Sequence, residues 1–446
     1  MDYADLAQSL VADARRAGAD AADVLVSSGT SFSVTVRRGE IETLKESGSK
    51  ALGVRVFVGR RTAQSCTSDF SRATLGELVS EVVAMARATG ADPAAGLPDE
   101  REQPAGDDLG IYDATLSRVP TPERIEAARR AESVALEASP EITNSQGASY
   151  ASGERTVWLA NSLGFAGSYR ASSASLSVVP VAERDGHMER DYWYSTSRRR
   201  DGLLSPDEVG RIAAERTLRR LGSRKIPTAE VPVVFDPETA AQLIGHLFGA
   251  ITGYAVFRGA TFLKERLGEA VASPLVTLVD DALRPGGLGS RPFDGEGCTA
   301  RRNVPVERGV LRHFLCDAYS GRKLGVPPAG CARRSVGGSP SVGPSNLYLE
   351  AGETPPEQIV AGVERGLYVT DLIGFGVNLV TGDYSQGAAG HWIESGRLTH
   401  PVHEVTVAGN LKQMLLDVDA VGSDLEFRSS VAAPTLRVAR MTVGGQ

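Results

Sequence analysis

Residues 239–251 read TAAQLIGHLFGAI, and the C-terminal half of the chain turns on what this stretch is. Just before it, Asp236-Pro237-Glu238 supplies a capping carboxylate, a proline suited to the first helical position and an acid at the positive end of the helix dipole. Ala240, Leu243, Ile244, Leu247, Phe248 and Ile251 recur at helical spacing and predict one apolar face. Gln242, Gly245, His246 and Gly249 fall on the other side. A glycine inside a helix costs about 1 kcal/mol against alanine, so two of them four apart predict a backbone or ligand close by. A zinc-protease helix pairs two histidines with a glutamate that acts as general base on metal-bound water. This helix has one histidine and no glutamate in its middle, so from the residues alone His246 reads either as a packed, hydrogen-bonded side chain or as a remnant ligand.

The chain of 446 residues is long enough for two or three domains, and its 41% hydrophobic and 23% charged residues suit a globular protein. A net charge of -7 argues against nucleic acid as the main partner. Basic clusters at Arg198-Arg199-Arg200, Arg301-Arg302 and Arg333-Arg334 read as solvated faces or as a patch for a carboxylate or acidic partner. Cys66, Cys298, Cys316 and Cys331 form no CxxC pair and are expected as free, mostly buried thiols. The opening MDYADLAQSLVADARRAGAD has no apolar core of a signal peptide, and no run of 18 apolar residues exists. A cytoplasmic protein that does not span a membrane is expected.

Helices are predicted over 3–17, 73–89, 121–138 (a capped helix opening Thr121-Pro122-Glu123, with proline at its first position), 206–222 and 409–419. The segments ADVLVSSG, SFSVTVRRGEIETLKES and ALGVRVFVGRRTAQSCTSD alternate between glycine-containing turns and predict an antiparallel meander. Residues 91–122 read as a long surface loop, 140–200 as strands including DYWYSTSRR, and 335–345 as a glycine-rich loop. Further short strands are expected at VPVVF, PLVTLVDD, GVLRHFLCD, NLYLEAG, GLYVTDLIG and near PTLRVARMTV. Helices and antiparallel strands mix without a βαβ rhythm, so the fold class is α+β, rich in antiparallel sheet. The periodicity breaks near Arg224–Thr228, which divides the chain into an N-terminal α+β domain, 1–225, and a C-terminal β-rich domain, 226–446.

The stretches AAQLIGHL, RPFDGEGCTARRNVPVERGVLRHFLCDAYSGRKLG, GVNLVTGDYSQGAAGHWIESG, VHEVTVAGNL and PTLRVARMTVGG together resemble the TldD/PmbA family, the modulator-of-gyrase proteins. That resemblance implies a two-domain TldD/PmbA-type fold. The family's TldD branch carries a zinc helix, HExxxH, with a cysteine as third ligand; its TldE/PmbA branch lacks the ligands. Set on this helix, the motif puts Ala241 at the first histidine, Gln242 at the glutamate and keeps His246. The segment where the cysteine belongs, LEFRSSVAA at 425–433, has none. The resemblance therefore implies no catalytic residue and no metal ligand set in this chain.

A non-catalytic TldE-like subunit of a heterodimeric zinc metalloprotease is the reading that the resemblance and these missing ligands imply. Zinc is expected in the TldD-like partner, and unfolded or leader peptides as the substrate. His246, Arg258, Asp383, Tyr384 and Ser385 are candidate residues of a peptide-binding or chamber wall. Two other readings stay open: an independent metal-dependent hydrolase through His400 and His403 of THPVHE, and a homo-oligomeric peptide-binding protein, with a homodimer of the isolated chain as one form. Pro401 and the strand-like residues after it argue against the helix that an inverted zinc motif needs, and His313 and Cys316 fall on opposite faces if on a strand.

Overall fold

The computed structural model describes residues 2–99 and 108–445. In the first half, helix α1 (Tyr3–Arg16) leads into strands β1 (Ala21–Arg37), β2 (Glu40–Val58) and β3 (Arg61–Thr67) and helix α2 (Arg72–Ala88). Helices α3 (Ala114–Ser117) and α4 (Thr121–Glu137), strands β4 (Ile142–Asn161), β5 (Ala166–Arg184), β6 (His187–Arg190) and β7 (Trp193–Ser197), and helix α5 (Pro206–Arg219) follow. The strands share one antiparallel sheet in the order β3-β2-β1-β4-β5-β6, with β7 also on β5.

The meander is there, but its turns are not where the glycines suggested. β1 runs unbroken through Gly29 and β2 through Gly48. Gly29 marks close approach between strands: a Cβ there would sit 2.3 Å from the Glu154 carbonyl oxygen of β4. The reversal from β1 to β2 lies at Arg38-Gly39, both with positive φ (52° and 77°), as a two-residue hairpin turn of matching twist requires. Asp185-Gly186, Arg308-Gly309 and Ser395-Gly396 repeat that pattern at three other reversals.

One face of β1 takes Val24 and Val26 to a core with α1 and α2, and Phe32, Val34 and Val36 to a second core with α4 and α5. From the other face Leu25 meets Val157, Leu159 and Phe293. Alternation along one strand thus faces the helices on one side and the C-terminal half on the other.

The second half begins with β8 (Ala229–Phe235), α6 (Pro237–Ala250) and α7 (Gly253–Phe257). Next come β9 (Leu278–Asp281), β10 (Arg302–Glu307), β11 (Val310–Leu311), α8 (Ala318–Leu324), β12 (Ala332–Arg333), β13 (Ser341–Val342) and β14 (Leu347–Leu349). The chain ends with α9 (Pro356–Ala361), β15 (Arg365–Ile373), β16 (Asp383–Glu394), β17 (Arg397–Asn410), α10 (Leu411–Leu416), β18 (Val418–Val421), β19 (Val431–Ala432) and β20 (Leu436–Gly444). β17-β16-β15-β8-β20 form a sheet whose outer strands also pair, Thr406 with Gly444, so these strands close into a barrel. β8 is parallel to β15 and antiparallel to β20, which makes this sheet mixed within an α+β fold. Val233, Leu367, Trp392, Val407 and Val438 belong to its core. A smaller sheet, β11-β10-β9-β14-β19, stands beside it.

Several elements are shorter than predicted. α10 stops at Leu416 because Val418 enters β18, and GVLRHFLCD is strand only at Val310–Leu311. Its Leu315 instead exchanges backbone hydrogen bonds with Ile251 and Gly253 at the end of α6. α4 begins at Thr121, but the residue flanking it is Pro120 and no side chain caps it, and α5 ends at Arg219. Within the predicted loop 91–122, α3 buries Leu116, while 100–107 lie outside the described residues.

The two halves are pinned by charge. Asp23, fully buried, accepts from Arg55 Nε at 2.9 Å and from Arg334 Nη1 at 2.7 Å. Arg55 also reaches Glu296 at 3.6 Å. Burial opposes the charge on Asp23, but the two guanidinium groups hold its carboxyl below the usual range. Asp23→Ala leaves both arginines without their shared counter-charge and should cost about 3–5 kcal/mol in urea unfolding, whereas a loss under about 1 kcal/mol would refute this role.

Candidate functional site

Helix α6 is built as its sequence dictates. The Asp236 carboxylate accepts from Thr239 N and Thr239 Oγ1, both at 2.9 Å, and Pro237 opens the first turn. The stripe from Ala240 to Ile251 is buried in the C-terminal core. Arg216 of α5 lies 3.7 Å from the buried Asp236, yet burial outweighs it and lifts the Asp236 pKa to about 6.

With that stripe inward, Glu238, Ala241, Gln242 and Gly245 face a cavity of about 340 Å³. Its opposite wall is Glu426, Arg428 and Ser429 with Val431, Ala432 and Ala433. Nothing approaches Gly245: a Cβ there would point into open space. At Gly249 the neighbour is a side chain, Leu379 Cδ1 at 3.1 Å, rather than the backbone or ligand the glycines suggested.

Arg428 dominates the cavity. It pairs with Glu238 at 3.3 Å and with Glu426, and its guanidinium lies 4.5 Å from the Trp193 ring centroid. Tyr194 donates to Glu238 Oε2 at 3.0 Å. Sequence reading missed this group because Tyr194, Glu238 and Arg428 come from three distant segments; the aromatic run DYWYSTSRR was its only signal.

The candidate residues separate. His246 is half-buried, edge-on to Tyr384 with ring centroids 6.1 Å apart, and both His246 Nε2 and the Tyr384 hydroxyl are buried without a partner. Burial lowers the His246 pKa and raises that of Tyr384, so each is held neutral. Strand alternation in β16 puts Asp383 and Ser385 on the exposed face, away from Tyr384. Asp383 accepts from Thr381 Oγ1 at 2.6 Å and Asn410 Nδ2 at 3.2 Å. Arg258 is exposed, 5.0 Å from the Tyr254 ring.

His400 and His403 lie on β17 with separate partners: His400 Nδ1 is 3.2 Å from Thr399 Oγ1, and His403 Nδ1 is 3.8 Å from Glu189. Glu404 pairs with Lys225 at 3.0 Å. Among the described residues, no three His, Cys, Asp or Glu side chains are grouped to hold a metal. Cys298, Cys316 and Cys331 are buried and Cys66 is exposed, none of the four in a disulfide, and burial pushes the Cys316 thiol up to about 11.

Tested against zinc, the α6 cavity does not fit. Ala241 offers no donor atom, the Gln242 amide cannot take a proton from water, and the two carboxylates lining the space, Glu238 and Glu426, are both paired with Arg428.

Domain comparison matches residues 22–86 to PmbA/TldA metallopeptidase domain 1, 114–221 to the central domain and 228–445 to the C-terminal domain. The chain belongs to the PmbA/TldD metallopeptidase family. It is 38% identical to the metalloprotease PmbA of Escherichia coli O157:H7, over 96% of this chain and 93% of that protein. A PmbA homolog of Haemophilus influenzae is 36% identical over 97% and 94%. The crystal structure of a modulator-of-DNA-gyrase candidate from Bacteroides thetaiotaomicron superposes with a TM-score of 0.92 at 30% identity, covering 99% of this chain and 98% of that one. TldE of Thermococcus kodakarensis shares the fold, with a TM-score of 0.89 at 20% identity over 98% and 99%.

Two outcomes test this geometry. Gly245→Ala should stabilise the protein by about 0.4–1 kcal/mol, because the methyl meets nothing and the unfolded chain loses freedom; Gly249→Ala, meeting Leu379, should gain less in the same urea series. The pKa of Asp236 is raised in the folded state from 3.8 to about 6, so its stabilising contribution is full below pH 3.8 and lost as pH rises through 6. Asp236→Asn keeps the cap and should remove roughly 3 kcal/mol of that decline between pH 4 and 7; parallel pH–stability curves would refute it.

Proposed function

We propose that this chain is a non-catalytic, TldE-like subunit that pairs with a TldD-like zinc protease acting on unfolded or leader peptides. The observation that carries this reading is the α6 cavity, where Ala241 and Gln242 stand at the positions for a ligand and a general base. Arg428 and Glu238 tie the helix to 425–433, a segment that a metal ligand would otherwise tie. The chain contributes shape: it packs on its partner and helps close a chamber, with His246 and Tyr384 as inward wall residues and Arg258, Asp383 and Ser385 as outward ones. The halves 1–225 and 226–446 act as its two domains.

Residues 40–51 of β2 offer one means of holding an extended chain. They are exposed or nearly so, paired with β1 on one side, while β3 pairs only from Leu52 onward. An open strand edge grips peptide backbone with little sequence preference and admits only unfolded segments. Cysteines in no disulfide suit a reducing cytoplasm.

The test is metal content and peptide cleavage by the purified chain, alone and mixed with an HExxxH-bearing TldD-like protein. Alone, it should hold no stoichiometric zinc and cleave nothing; the mixture should form a stable heterodimer and cleave. Stoichiometric zinc with cleavage by the chain alone would overturn the proposal.

A further inference from the structure

A second cavity, about 230 Å³, lies between the N-terminal sheet and segments 288–295 and 332–336 of the other half. Two of the three basic clusters seen in the sequence meet there. Arg198 and Arg333-Arg334 converge on it with Arg155 of β4 and Arg291, whereas Asp294 is the sole carboxylate among its lining residues.

The arginines are not equally used. Arg334 pairs with Asp23 at 2.7 Å. Arg198 donates to the backbone carbonyls of Ser172, Gly287 and Leu288, which orient it without cancelling its charge. Arg291 is 6% exposed, and its Nε and Nη2 are both buried without a hydrogen-bond partner. Those two nitrogens form the parallel edge by which a guanidinium grips an oxyanion with two bonds.

Nearby acids do not take up that edge. Both Asp294 oxygens accept from backbone N–H groups: Oδ1 from Glu296 and Cys298, Oδ2 from Ala332. Asp280 interacts with Arg291 and Arg333 through charge, but its Oδ1 accepts from Ser345 N at 2.5 Å and its Oδ2 has no hydrogen bond. Together with the groups that adjoin it (Arg55, Asp23, Glu296 and Asp280), the pocket sets six guanidinium groups against four carboxylates. Two positive charges remain uncompensated. Apolar walls at Leu25, Val157, Phe293 and Val336 border the pocket, and burial strengthens the pull of Arg291 on an anion.

We propose that this pocket is an oxyanion site for a phosphate-type dianion, gripped by the incompletely bonded guanidinium of Arg291 and by Arg333 at the rim. Phosphate near neutral pH carries a charge of about −1.5 to −2, matching the excess, and offers acceptors to more than one guanidinium at once. Tyr169 and Phe293, stacked edge-to-face with centroids 5.2 Å apart, form an aromatic wall beside the anion and favour a small phosphate monoester over the free ion. The site lies on the junction between the halves, so its ligand would also bind them to each other. The inference does not rest on the partner-subunit reading.

Calorimetric titration of the full chain tests it, using inorganic phosphate and phenyl phosphate at a chloride concentration that fixes ionic strength. One-to-one saturable binding is expected. Arg333→Gln and Arg291→Gln should each weaken it about tenfold or more, and Arg302→Gln, outside the pocket, should leave it unchanged. Tighter binding of phenyl phosphate supports a monoester, and equal binding supports the free ion; either upholds the oxyanion site. If Arg291→Gln fails to fold, Arg333→Gln at the exposed rim decides. No saturable binding by the unsubstituted chain, or unchanged affinity in the arginine variants that fold, overturns the proposal.

Discussion

The apolar stripe of α6 is the constraint on which the C-terminal half depends. Ala240, Leu243, Ile244, Leu247 and Ile251 are almost wholly buried, and each large side chain among them is worth about 1.5–3 kcal/mol of burial. A helix turns about 100° per residue, so sinking that stripe fixes the direction of every other side chain on it. Glu238, Ala241, Gln242 and Gly245 must then face the cavity. Turning the helix to present other residues would lift the stripe out of the core.

Given that orientation, what holds 425–433 against the helix becomes an electrostatic question. A structural zinc ion contributes about 10–16 kcal/mol to the folding of a small domain, far beyond any single ion pair. Here the segment is held by several weaker ties: the Arg428–Glu238 pair, stacking on Trp193 and parallel pairing of Val431–Ala432 with Leu347–Tyr348. None of them alone matches a metal, and the cavity keeps its shape because the ties come from three different elements. The Asp23 pairs and the arginine-lined pocket show the same economy at the junction of the halves, where polar groups from both sides meet in buried space.

Much of the architecture was legible in the chain. The α6 cap and stripe and the alternation over Phe32–Val36 of β1 are local patterns, and local sterics and burial decide them. Errors gathered where a glycine has two uses. Gly29 allows strands to approach, while Gly39 allows the backbone to turn, and only the neighbouring Glu154 carbonyl distinguishes the first use from the second. The segment around His313 and Cys316 alternates like a strand but docks irregularly on the end of α6, because Leu315 finds its backbone partners there.

By itself the sequence determined the α+β class, the family resemblance and the lack of a ligand at Ala241, a base at Gln242 and a cysteine over 425–433. These depend on which atoms each side chain carries, and no fold can add a donor to alanine. Tertiary structure alone decided which residues meet. It set His246 against Tyr384 and sent Asp383 and Ser385 to the opposite face, since neighbours on a strand diverge. It also joined Arg198 to Arg333 and left Arg301 and Arg302 outside that cavity. Clusters alike in sequence part in this way because contact depends on the path of the backbone between them, and sheet order and barrel closure set that path.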